Sequence, residues 1–178
     1  SNTSNVVSLN TSYTDTAGNT GTAATSASYE VDTLAPSATI TLSNSSLSAG
    51  ETSTVTISFT EAVSGFGNSD VTVANGTLST LTTSNSITWT ATFTPSGSVS
   101  NTSNVVSLST SYTDTAGNTG TAATSATYAV DTIAPSATIT LSDSSLIAGE
   151  ASTVTISFNE AVSGFGNSDV TVANGTLS

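Results

Sequence analysis

The strongest constraint on this chain is a near-perfect internal repeat. SNTSNVVSL begins at Ser1 and again at Ser100, and SYTDTAGNTGTAATSA begins at Ser12 and Ser111. VDT-x-APSATITLS begins at Val31 and Val130, so every match has the same 99-residue offset. Residues 1–79 align with 100–178 without a gap and differ at eight positions: 10, 28, 30, 34, 44, 48, 52 and 60. A unit of this length falls in the usual domain range and can bury one core. Pro36 and Pro135 each follow an Asp-Thr-x-Ala tetrapeptide. Proline fixes φ and extends the residue before it, which suits a short, stiff linker. The expected organisation is therefore the tail of one repeat in 1–36, a complete repeat in 37–135, and the head of a third in 136–178.

Within 37–135, apolar and polar residues alternate with period two, the signature of half-buried strands. Residues 38–42 give strand A; 54–59 give B, with Val55, Ile57 and Phe59 on one face; 71–73 give C. Asn75-Gly76 reads as a tight primed turn into D. Residues 87–93 give E, closed by Pro95; 106–112 give F and 120–130 give G. Threonine on the outward face suits a sheet and keeps it wet. An all-β, seven-stranded immunoglobulin-like sandwich is the architecture this pattern predicts. Trp89 is expected in its core. The absence of cysteine limits the match to architecture, without the family's disulfide.

Composition narrows function by what is missing. The chain has no Lys, Arg, His, Cys or Met, and 12 Asp plus Glu give it a formal charge of −12. The usual base near neutral pH, the Schiff-base amine and the thiolate nucleophile are all absent. Only carboxylate-pair hydrolysis remains as enzyme chemistry, and identical catalytic sites repeated along linkers would make poor pockets. No enzyme activity is expected. Nothing in the sequence can neutralise phosphates, which excludes nucleic acid, and an anionic membrane surface would repel the chain. No apolar run approaches the roughly 20 residues of a spanning helix. Gly65-Phe-Gly67 lacks the third glycine of a nucleotide loop.

Strand connectivity then places the acids. If A runs away from the N-terminal pole, the B–C loop (60–70) and the F–G loop (113–120) return to that pole. Asp32 of the incoming linker, Glu61, Asp70 and Asp114 should converge there. The next junction would gather Asp131, Glu160 and Asp169, with Glu51 of the A–B loop approaching from the repeat above. The sequence has no cation to pair with them. Clustered carboxylates repel, and a hard divalent cation removes that penalty. Ca2+ takes six to eight oxygen ligands in a tolerant geometry, whereas Mg2+ dehydrates reluctantly. Asp-Thr-Ala-Gly-Asn at 114–118 can offer a carboxylate, turn carbonyls and an amide oxygen from one loop. The alternative is a set of solvated loop acids that keep the protein soluble.

YxVDT-x-AP, AGE-x-STVTISF-x-EAVSGF, DVTVANGTL, TFTP and YTDTAGN together resemble the bacterial Ig-like repeats of giant secreted adhesins of the RTX and biofilm-associated type. That resemblance implies calcium-binding extender repeats, exported to the bacterial cell surface, that hold a distal ligand-binding domain away from the cell. By motif it carries over Asp32 and Asp131 as linker acids, and Glu61 and Glu160 as the FxEAV acid. It also carries over Asp70 and Asp169 before strand C, and Asp114 and Asp15 in TDTAGN. Implied partners are calcium ions and neighbouring repeats. A repeat that self-assembles into an extracellular filament, sheath or surface layer is the other functional class. The half-repeats at the two sides should expose apolar faces, which suggests either a window cut from a longer array or self-association between array ends.

Overall fold

Strands form where the sequence alternates, beginning with an F–G pair. β1 (Asn2–Asn5) lies antiparallel to β4 (Tyr29–Val31), and β2 (Ser8–Leu9) to β3 (Ala24–Thr25). These belong to a computed structural model that describes residues 2–178, in two compact units divided between Thr132 and Ile133.

The complete repeat follows. β5 (Ala38–Leu42) leads through β6 (Ser46–Ser48) to β7 (Ser53–Phe59) and the short β8 (Val63–Ser64). β9 (Val71–Val73), β10 (Gly76–Leu78), β11 (Thr82–Thr83) and the long β12 (Thr88–Pro95) come next. β13 (Ser100–Asn104) and β14 (Val106–Leu108) are followed by β15 (Thr113–Asp114), β16 (Ala123–Thr124) and β17 (Tyr128–Asp131). One sheet has the order β10-β12-β7-β5, with β11 also on β12, so D, E, B and A lie side by side. Opposite it, β9-β14-β16 joins C, F and G, while β13-β17-β6 extends that layer.

Register explains why the layers adhere. Ile40, Ile57 and Trp89 face each other across three strands, as do Leu42, Val55 and Ala91. The alternate rows, Thr41-Thr56-Thr90 and Thr39-Ser58-Thr88, point outward as expected. Inward residues of both layers form one core, with Val55, Ile57, Phe93 and Val106 fully enclosed. Burying one such side chain contributes about 1.5–3 kcal/mol. Trp89 packs edge-on to Phe66 at 5.1 Å, although its indole N–H is buried without an acceptor among the described residues.

The structure corrects several expectations. β6 is an extra strand, paired in parallel with β17, and its two serines flank a single buried apolar residue, Leu47. So short a segment carries no periodic signal. Asn75 adopts φ 55°, but Asn75-Gly76 does not close a hairpin. β9 pairs with β14 and β10 with β12, so the turn carries the chain from one layer to the other. F begins at Ser100, breaks register between Asn101 and Asn104, and ends at Leu108. G is two short strands, β16 and β17.

In the unit from Ile133, β18 (Ala137–Leu141) and β19 (Val154–Phe158) pair in the register of β5 and β7. Residues 170–172 repeat the sequence of β9 but form no strand; the 3-10 turn Asn167–Asp169 precedes them. In the complete repeat, C is held by strand F. No helix among the described residues is long and apolar enough to cross a membrane.

Candidate metal centre at the linker

The site starts from a ring laid on a glycine. Tyr112 is 1% exposed, and its hydroxyl donates to the Thr121 carbonyl at 2.7 Å and to the Pro36 carbonyl at 3.5 Å. Its ring covers Gly120 so closely that a Cβ there would lie 2.1 Å from Cε2. Between these residues the chain turns back through Asp114–Asn118. The Asn118 N–H donates to Asp114 Oδ1 at 2.8 Å, its side-chain amide donates to Oδ2 at 2.7 Å, and Gly117 takes φ +94°. Asp15–Asn19 in the first half-repeat folds identically, with 2.8 and 2.7 Å for the same two bonds. The same bonds thus recur in both copies of the loop, which encodes its fold locally.

Two further segments meet this loop. β15 pairs with β8, Asp114 opposite Val63, which carries the start of the B–C loop and Glu61 to the same pole. The linker is seated from the other side. The Asn118 amide donates to the Asp32 carbonyl at 3.2 Å, and Thr121 N–H donates to Pro36 O at 3.0 Å. Ser37 N–H meets Thr60 Oγ1 at 3.1 Å. One carboxylate oxygen from each of Asp32, Glu61 and Asp114 then lies within 4.8 Å of the others.

Their electrostatics differ with their partners. Hydrogen bonds from the Asn118 side chain, then from the backbone, hold the Asp114 carboxyl below its ordinary value. Glu61 is pushed up, first by desolvation and then by repulsion from Asp32 and Asp114. The Asp114 anion is therefore well supported, whereas Glu61 ionises at a cost. Three carboxylates from three chain segments form a set of hard oxygen donors, the kind that Ca2+ takes.

Of the four acids expected at this pole, Asp70 does not join the group. It is buried, and Oδ2 accepts the Gly67 N–H at 2.9 Å, closing the 3-10 turn Asn68–Asp70 that leads into β9. Asp169 repeats that bond with Gly166. Glu51 likewise serves its own turn, accepting the Ser48 N–H at 2.8 Å, while Ser48 pairs with Asp131. Asp15 accepts from Asn19 in an exposed loop. Glu160 Oε1 is buried with no hydrogen-bond partner among the described residues.

Sequence reasoning credited Asn118 with an amide oxygen. The structure uses its amide N–H group instead, to bridge Asp114 and the linker. Tyr112 and Gly120 were missed as supports; their eight-residue spacing around a TDTAGN turn was the available signal.

Residues 32–130 match the bacterial Ig-like domain, and residues 131–178 match it a second time. The two matches begin at the equivalent aspartates Asp32 and Asp131. No curated protein and no solved structure matches the chain.

Proposed function

The chain belongs to the bacterial Ig-like domain family, and from that premise we propose that it is a calcium-rigidified extender segment of a secreted bacterial surface adhesin. Domains of this family are non-enzymatic and structural, and are typically extracellular or surface-exposed. The observation that carries the calcium reading is the convergence of Asp32, Glu61 and Asp114 within 4.8 Å in a protein without a single Lys, Arg or His. Asp32 comes from the linker and the other two from the repeat that follows it. An ion held by all three fastens the linker to that repeat and cancels the repulsion that burdens Glu61.

Extracellular modules bind Ca2+ at about 10⁻⁴–10⁻³ M, so the site fills outside the cell and not in the cytosol. At 100 times Kd, one site adds about 2.7 kcal/mol to stability. Thermal unfolding with millimolar Ca2+ and with chelator tests this through the fluorescence of Trp89, the one tryptophan of the chain. The expected result is a higher Tm with Ca2+, a gain that Asp114→Asn removes and Glu30→Ala leaves intact. Glu30 is exposed, and the second copy has Ala129 in its place. Superimposable curves with and without Ca2+ would refute the calcium reading and leave the acids as solubility charges.

A further inference from the structure

The two copies of the linker show different halves of one junction. At the first copy, the repeat that follows is present, and Asn118 grips the Asp32 carbonyl while Thr121 and Tyr112 grip that of Pro36. At the second copy, the repeat that precedes is present. There the Thr132 N–H donates to Val99 O at 2.7 Å, the Thr132 hydroxyl donates to Ser96 O at 2.8 Å, and the Val99 N–H donates to that same hydroxyl at 2.9 Å. Asp131 also continues β17, paired with both Ser100 and Ser48.

Asp32-Thr33 and Asp131-Thr132 are the same step of the repeat. Superposing the two views leaves no untied residue between the attachments: the aspartate carbonyl is bound by the following repeat and the next residue by the preceding one. We propose that this Asp-Thr step is a double tie, with Asn118 as the positioning residue on the following side and Thr132 on the preceding side. The linker then lacks a hinge at this step whether or not a metal is bound. This rests on the extender reading and assigns to hydrogen bonds a share of the stiffness that the ion alone would otherwise supply. Asn118 suits the task because its loop is built from local bonds, which Asn19 repeats with Asp15.

Backbone 15N relaxation on the 178-residue chain in chelator tests the tie. The Asp32, Thr33 and Thr132 amides should show order parameters near 0.85, as rigid strands do, and Asn118→Ser should lower those of Asp32 and Thr33 below about 0.6. The β7 and β12 amides should not change. Asn19→Ser, which removes the same loop bonds away from any linker, should leave residues 32 and 33 ordered. Thr132→Val should loosen Thr132 alone. Mobile Asp32 and Thr33 in the wild-type chain would overturn the proposal, as would an Asn118→Ser variant with an unchanged linker. A Ca2+ titration read separately by Tm reports on the metal reading, so failure of one does not mimic failure of the other.

Discussion

Gly120→Ala puts the support of the candidate metal site to a direct test. A methyl group at this position meets Tyr112 Cε2 and Cζ at 2.1 and 2.2 Å, far inside contact distance. The ring cannot retreat, because it is 1% exposed and wedged edge-on against Phe59 at 4.9 Å and Phe66 at 5.9 Å. Forcing extra volume into a packed core costs about 1–3 kcal/mol. The upper end applies here, since moving the ring also breaks the hydroxyl bonds to Thr121 and Pro36. A loss of about 3 kcal/mol at roughly 4–8 °C per kcal/mol lowers Tm by about 12–24 °C for a domain of this size. Trp89 fluorescence reports the transition of the complete repeat alone, as the half-repeats have no tryptophan. Gly21→Ala is the control: the same methyl meets Tyr13 at 2.1 Å, but Tyr13 is 43% exposed and can swing away. It should leave the Trp89 transition in place. A Gly120→Ala variant within about 0.5 kcal/mol of wild type, the range of ordinary surface substitutions, would refute the account of how this loop is held.

Glu61→Gln should reverse its effect with calcium. The raised folded-state value of Glu61 means that stability from this group is present below its reference of 4.5 and lost as pH rises through the folded value. In chelator at pH 7 the variant should therefore melt above wild type, with the difference vanishing toward pH 4.5; in Ca2+ it should melt below, having lost a ligand. The lowered Asp114 acts oppositely, stabilising above its reference of 3.8 and losing that contribution as pH falls through the folded value. Asp114→Asn should flatten the acid limb of a plot of Tm against pH. Leu47→Ala should cost about 2–5 kcal/mol, because Leu47 is 2% exposed, whereas the equivalent Leu146→Ala at 51% should stay within about 0.5 kcal/mol; denaturant unfolding measures both.

Much of the fold was legible because a period-two pattern needs no tertiary information. Val55, Ile57 and Phe59 had to share a face, threonine had to take the other, and alternating strands had to bring the B–C and F–G loops to one pole. Connectivity alone thus placed Glu61 and Asp114 beside the linker of Asp32, where they lie. The TDTAGN turn was equally local, and it folds alike at Asp15 and Asp114 despite different surroundings.

What the sequence could not decide was which acid finds a local donor first. Asp70 reaches the correct side of the repeat, yet the Gly67 N–H three residues away claims its carboxylate, a competition set by the backbone geometry of a 3-10 turn. Nor could alternation foresee β6, where one leucine between two serines becomes a strand only because β17 offers an edge. Pattern fixes which face of a segment is apolar; a ladder needs a partner backbone, and only the assembled sandwich supplies one.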